Sequence, residues 1–261
     1  MFRTELTHSR KRKHIYAFGI KIASVKVKPY KQHKKKQNSK TVVYTYQSSG
    51  YDNLLSHNHF VRDWDYVCFT DDEKLLEHEF IGPWEIRKSI FNKLDSKRNS
   101  GWHKTHPHLL FPKYTNSIWI DGNVDVVTNY LETLIKKTRK KILTPVHNER
   151  ACIYDEIDVV RALSYDTEDA CEDTKQMLLE RCMPKDYGLC ETNIMFRRHN
   201  DKLVHDIDEM WWDCIRNYSK RDQLSFTYCL YKHNVSVKSV IIPNIRNNIN
   251  FIVRGHVKHH D

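Results

Sequence analysis

Ser117-Ile118-Trp119-Ile120-Asp121-Gly122-Asn123-Val124-Asp125 is the stretch on which the fold turns. Ile118, Trp119 and Ile120 form a short apolar run, the signature of a strand covered on both faces, and it stops abruptly at an acid, a glycine and an amide. The polar residues therefore sit at the carboxyl end of a strand. In open α/β sheets ligands bind there, in the crevice outside the strand ends. An acid-x-amide or acid-x-acid cluster can hold a divalent cation through hard oxygen ligands. An Asp-Gly turn after a strand is the plain alternative.

The elements on either side set that strand in a parallel sheet. Thr41-Val42-Val43-Tyr44-Thr45-Tyr46 predicts an earlier buried strand, ended by the turn residues Gln47-Ser48-Ser49-Gly50 and followed by a helix over about 52–59. Tyr66-Val67-Cys68-Phe69-Thr70, ended by Asp71-Asp72, is a second strand, and Trp84-Glu85-Ile86-Arg87 a third. Residues 97–108 carry cations and histidines just upstream of the central strand. Cations placed there suit a diphosphate leaving group, and a helix with a solvated basic face is the alternative. His106 and His108 flank a proline, and with no partner at ligand spacing they read as structural. Further on, helices are expected over 130–141, 152–163, 172–182, 202–218 and from Arg221, with strands at 141–145, 192–196 and 235–242. Strand–helix alternation in the first half and more helix in the second give a single α/β domain with a mostly parallel sheet flanked by helices. Neither G-x-G-x-x-G nor G-K-[ST] occurs, so a dinucleotide fold and a P-loop are unsupported.

Charge divides the chain. Of 43 Lys/Arg and 33 Asp/Glu in 261 residues, residues 1–40 hold 13 basic groups and one acid, leaving 30 basic against 32 acidic groups in the rest. Residues 1–40 read as a flexible basic leader that can touch an anionic surface, and residues 41–261 as the nearly neutral catalytic body. A body without basic surplus argues against sequence-specific nucleic-acid binding. The seven cysteines are odd in number and lack C-x-x-C spacing, which argues against a zinc ribbon or a complete disulfide framework. They favour a reducing compartment. Residues 15–27 are too short and too charged to span a bilayer and lack a signal-peptide pattern, so the expected location is the cytoplasm or the cytoplasmic face of a membrane.

Several motifs then occur in a specific order. They are Tyr44-Thr45-Tyr46, Cys68-Phe69-Thr70-Asp71, Lys104 with Pro107-His108, the Ser117–Asn123 stretch, His147-x-x-Arg150-x-Cys152-x-Tyr154-x-Glu156, and Arg221-Asp222-Gln223-Leu224-Ser225-Phe226. With them the chain resembles the glycosyltransferase-A fold, and more narrowly the mucilage- and turgor-related glycosyltransferase-like family of plants, bacteria and viruses. The resemblance implies a nucleoside-diphosphate sugar donor held by residues 41–125 and a glycan acceptor held by residues 126–261. It implies donor contacts from Tyr44, Thr45, Tyr46, Asp71, Arg98, Lys104, Asp121 and Arg150. A manganese or magnesium ion would be held by Asp121 and Asn123, with His256 from the carboxyl-terminal region. The motif ends in Asn123 where the fold usually has Asp, and an amide is a weaker, neutral ligand, so metal dependence stays open. Asp125 is the possible substitute, since an extended chain puts residues 121, 123 and 125 on one face.

For the catalytic carboxylate the first choice is Asp222, with Glu149 and then Glu156 in reserve and His147 as a further sugar or phosphate contact. Helix N-capping is the other reading of Asp222. The reaction expected is glycosyl transfer, inverting or retaining. The alternatives are a non-catalytic carbohydrate- or anion-binding module on the same fold, and a nucleotidyltransferase.

Overall fold

The computed structural model describes residues 2–6, 12–18, 20–26 and 39–256. The chain divides into two compact units, Met1–Lys34 and Lys35–Asp261.

In the first unit β1 (Phe2–Leu6), β2 (Arg12–Ala17) and β3 (Ile20–Lys26) form an antiparallel meander. A sheet thus stands where charge alone suggested a flexible leader. Ile15 is paired with Thr4 on one side and Ala23 on the other, and β3 sets Ile20 and Ile22 two apart on either side of Lys21, so β-branched residues recur among the basic ones at strand spacing. Net charge outweighed that pattern in the sequence reading. Phe18, Ile20 and Ile22 are exposed on this meander.

The second unit is built on an eight-stranded sheet. Its strands are β4 (Thr41–Gln47), β5 (Asp65–Thr70), β6 (Phe80–Ile81), β7 (Trp84–Lys88), β8 (Asn116–Ile120), β10 (Ile142–Pro145), β11 (Ile194–Arg197) and β12 (Ile241–Ile242), in the order β12-β10-β11-β8-β4-β5-β7-β6. The pairs β8-β4, β4-β5, β5-β7 and β10-β12 are parallel, whereas β11 runs antiparallel to both neighbours and β6 antiparallel to β7. The fold is therefore α/β with a large, mostly parallel central sheet flanked by helices, as the strand alternation predicts. Outside it β9 (Val124–Val126) pairs antiparallel with β13 (Phe251–Val253).

Alternation along each strand feeds two cores. On β4, Val42, Tyr44 and Tyr46 join one face while Val43 joins the other. The first face is covered by α2 (Ser96–Thr105), α5 (Ile153–Ala162), α6 (Glu168–Glu180), α7 (Lys202–Asn217) and α8 (Gln223–Lys232), with Trp211, Ile215, Phe226 and Leu178 buried among them. The second face is covered by α4 (Tyr130–Lys137), the β9–β13 ribbon and the segment leading to β5. The short helices α1 (Glu73–Leu76), α3 (Pro107–Leu110) and α9 (Val237–Val240) complete the set.

Two expected elements differ. Residues 52–59 form no helix. Asp52 lies at φ 56°, and the segment runs irregularly with Leu54 and His57 buried against the sheet and Asn58 bonded to Asp125. Residues 235–242 form α9 and then only the two-residue β12, because the apolar pattern Val237–Val240 fits one buried turn as well as a strand. All seven cysteines are free, and only Cys182 is exposed. No helix among the described residues is long and apolar enough to cross a membrane.

Candidate active site

The hub of the site is Lys104, in the last turn of α2. Asp95 caps that helix by accepting from the Arg98 amide, and Gly101 lets it approach α7 closely, since a Cβ there would stand 3.2 Å from Ile215 Cγ2. Tyr44 Oη (2.8 Å) and Arg197 Nη2 (2.6 Å) both donate to the Lys104 carbonyl, which fixes its backbone. The Lys104 side chain is 4% exposed and its ammonium faces three acceptors, Asp222 Oδ2, Asp121 Oδ1 at 3.3 Å and Thr192 Oγ1 at 3.3 Å. Three acceptors match the three donors of an ammonium, which lets the charge remain in a buried place.

Asp222 stands at the N-cap position of α8, yet its side chain caps nothing. Its backbone is already helical, and the carboxylate turns to Lys104 and accepts from Thr192 Oγ1 at 3.0 Å. The helix-cap reading is thereby set aside. Burial by itself pushes the Asp222 carboxyl up, but the charges of Lys104, Lys97 and Arg221 and the Lys104 hydrogen bond outweigh it and hold the group well below the usual carboxylate range. Asp121, at the carboxyl end of β8, takes Lys104 and the Trp119 indole N–H (2.5 Å) on one oxygen, and its side chain is 34% exposed toward the crevice.

The β9–β13 ribbon brings the carboxyl-terminal region to this end of the sheet. Arg254 N donates to Asn123 O at 2.9 Å, Asn123 Nδ2 donates to Arg254 O at 3.0 Å, and His256 Nε2 lies 3.5 Å from Asn123 Nδ2. His256 Nδ1 is 2.8 Å from Asp52 Oδ2, and its ring packs on Tyr51. Asp121, Asn123 and His256 are thus gathered near one strand end. Asn123 turns its amide nitrogen, not its oxygen, to His256 and the Arg254 carbonyl, so a manganese or magnesium ion on Asp121 and His256 would take the amide oxygen only after that side chain turned over. Lys104 already neutralises one Asp121 oxygen, so an ion and the ammonium would share that carboxylate. Asp125 is not a ligand candidate. It is 1% exposed and consumed by Asn58 N, Asn58 Nδ2 and Arg254 Nη2 at 2.7–2.9 Å.

Beside this group lies a second one. Glu156 binds Arg150 Nε, accepts from Gln223 Nε2 at 3.1 Å and lies 3.5 Å from His147 Nε2. His147 Nδ1 accepts from the Glu149 and Arg150 amides, which shapes the loop after β10. The two sequence motifs therefore meet through Glu156 and Gln223, next to Asp222. Glu149 is exposed and binds Arg150 Nη1 at 2.9 Å.

Other expected donor contacts sit elsewhere. Tyr44 and Thr45 are buried in the sheet at 0% and 2% exposure, because they lie inside the strand and not at its end. Tyr46 Oη donates to Asp71 Oδ2 at 2.9 Å, and Asp71 Oδ1 accepts from Ser49 N at 2.8 Å, so this pair fixes the loop after β4. Arg98 clamps α2 to the end of α7 through Asp95, Ile215 O and Tyr218 O, and it does not join Lys104 at Asp121. The sequence reading missed Thr192, Trp119 and Tyr51, and treated Arg221 only as a neighbour of Asp222. Arg221 packs over Tyr165, and its buried Nε has no hydrogen-bond partner among the described residues.

No curated protein matches the chain. Many solved structures resemble the chain, and two of them share limited likeness. The bifunctional glycosyltransferase WbbM, in its apo form, gives a TM-score of 0.44 at 11% identity over 80% of this chain and 39% of that one. Mouse xyloside xylosyltransferase 1, also apo, gives 0.42 at 11% identity over 78% of this chain and 84% of that one. The chain spans well under half of WbbM. The sequence profile described as the TOD1/MUCI70 glycosyltransferase-like domain matches residues 48–255. That match takes in every strand of the eight-stranded sheet except β4, which ends just before it, together with Lys104, Asp121, Asp222 and the ribbon to Arg254, and on it the chain belongs to the TOD1/MUCI70 glycosyltransferase-like domain family.

Proposed function

We propose that the chain transfers a sugar from a nucleoside-diphosphate sugar to a carbohydrate or glycoconjugate acceptor. The observation that carries this reading is the cluster of Asp121, Lys104, Thr192 and Asp222 at the carboxyl end of β8. In a parallel sheet this is the ligand crevice. Arg221, whose charge is felt at Asp222, and Lys104, once a phosphate oxygen replaces Asp121 or Thr192 on its ammonium, would supply positive charge for the diphosphate. A divalent ion on Asp121, Asn123 and His256 would add Lewis-acid neutralisation of the same phosphates.

The electrostatics favour a retaining course. The charges of Lys104, Lys97 and Arg221 hold Asp222 ionised, and Lys104 and Thr192 both occupy its Oδ2, which weakens it as a proton acceptor. A carboxylate held ionised suits the other task, stabilising positive charge at the anomeric carbon as its bond to the diphosphate oxygen breaks. The acceptor oxygen then bonds to that carbon, and its proton leaves on the departing nucleoside diphosphate.

The test is release of free nucleoside diphosphate from a panel of sugar nucleotides. Transfer or slow hydrolysis yields diphosphate. Pyrophosphate in its place would mean a nucleotidyltransferase, and tight binding without either product a carbohydrate- or anion-binding module. Asp121→Ala is expected to abolish turnover with little change in Tm, since the group is a third exposed and outside the core. Donor binding is expected to tighten in manganese or magnesium, and equal affinity in chelator would remove the ion and leave Lys104 and Arg221 as the neutralising charges.

A further inference from the structure

A second cluster lies away from the crevice, where α3 meets α7. His205 and Glu209 occupy positions i and i+4 on α7 and so share one face of it. His108 of α3 meets that face. Its Nε2 lies 3.0 Å from Glu209 Oε1, and its ring centroid is 4.2 Å from that of His205. One ligand atom from each of the three residues lies within 4.8 Å of the other two, and among the described residues no other His/Cys/Asp/Glu trio meets this condition.

An ordinary His–Glu hydrogen bond does not account for the arrangement. The His108 side chain is only 8% exposed, yet neither ring nitrogen has a hydrogen-bond partner among the described residues, despite the nearness of Glu209. Buried polar atoms are rarely left this way, because each unmet one costs about 1–3 kcal/mol. Three ligand atoms around a tetrahedral zinc ion stand about 3.3 Å apart at zinc–ligand bonds of about 2.0–2.2 Å. The trio stands within 4.8 Å, wider than that spacing, and an ion would draw in His205 and Glu209, whose side chains are half exposed.

The surroundings fit a metal as well. Asp206 Oδ1 lies 3.7 Å from His205 Nδ1, where a carboxylate orients a ligating imidazole. His106 Nε2 lies 3.7 Å from Glu209 Oε1, and Trp102 O stands 2.7 Å from its Nδ1. A neutral His106 that donates there keeps its lone pair on Nε2.

We propose that His108, His205 and Glu209 form a zinc-type divalent cation site that fastens α3 to α7. Two imidazoles and one carboxylate select a borderline ion over magnesium or calcium. The fourth position belongs to water or to His106. Because α3 follows directly on the turn that carries Lys104, the ion braces the corner from which that ammonium is presented. No part of this rests on the transferase reading.

The experiment uses the full chain, freed of metal and then titrated with Zn2+ and with Co2+. Zinc is expected to raise Tm, as any ligand of the folded state does. Cobalt is expected to give visible ligand-field absorption without a thiolate charge-transfer band, which separates this site from the seven cysteines. His205→Ala and Glu209→Gln, both at half-exposed positions, are expected to fold and to lose both responses, while Asp121→Ala keeps them. No zinc response in the parent chain, an unchanged response in the His205 and Glu209 variants, or a thiolate band each overturns the proposal.

Discussion

Asp222→Asn is expected to lower turnover by about two orders of magnitude or more, the scale for losing a positioned acid, base or charge. From sequence alone the same change should spare stability, because Asn caps a helix about as well as Asp. The structure alters that expectation. Asp222 caps nothing and is the main partner of a buried ammonium. Stranding one member of a buried ion pair costs up to about 3–5 kcal/mol. Here the cost is smaller, since Asp121 and Thr192 still face Lys104. A drop in Tm should therefore accompany the drop in turnover. The double variant Lys104→Met/Asp222→Asn removes both charges, and it is expected to recover stability while remaining inactive. That divergence separates a role in chemistry from a role in folding. Near-normal turnover in Asp222→Asn would reduce the residue to a structural partner and move the search to Glu149 and Glu156.

Arg197→Met is the second large effect, and it falls on stability. Arg197 is fully buried and donates to Asp208 Oδ1 at 2.9 Å, Tyr44 Oη at 2.5 Å and the Lys104 carbonyl at 2.6 Å. Its loss leaves the buried Asp208 carboxylate without its cation and takes one donor each from Tyr44 Oη and the Lys104 carbonyl, which keep only the bond between them. A loss of about 3–5 kcal/mol near neutral pH is expected. The sign of the pH dependence follows from Asp208. Burial, only partly offset by Arg197, already raises its carboxyl from 3.8 to about 6 in the folded chain. A group raised on folding stabilises fully below its unfolded pKa, and that contribution fades as pH rises through its folded pKa. Without Arg197 the folded value climbs further. The gap between variant and parent should hence narrow as pH falls from about 8 to about 6, where Asp208 is neutral in the variant, and change little below that, where the parent's Asp208 protonates as well. Denaturant unfolding at the two pH values measures it, and a gap independent of pH would exclude Asp208 as the cause.

The legible parts of this molecule were those with a local signal. The strands β4, β5, β7 and β8 are apolar runs with clear ends, and α5 to α8 repeat apolar residues at helical spacing. Asp121 was legible because a polar residue at a strand's end has one place to go. Tyr44 and Thr45 were misread because a strand covered on both faces buries its middle whatever its side chains. The pairing of Lys104 with Asp222 spans 118 residues and has no local signature. His108 looked partnerless for the same reason, since its neighbours His205 and Glu209 lie on a helix about a hundred residues further along. His256 was placed by family likeness, and the physical cause of its position is a ribbon of three residue pairs between β9 and β13.

The distribution of free thiols makes the native chain its own reporter of opening. Cys182 lies at the surface, whereas the other six are enclosed, and burial lifts the Cys190 thiol to about 12 and the Cys68 thiol higher still. An alkylating reagent needs a thiolate within reach, so the folded chain should be tagged quickly once and then only as fast as its interior breathes. Because Cys68 lies on β5 and Cys214 on α7, mass spectrometry of the tagged peptides would resolve which layer loosens first.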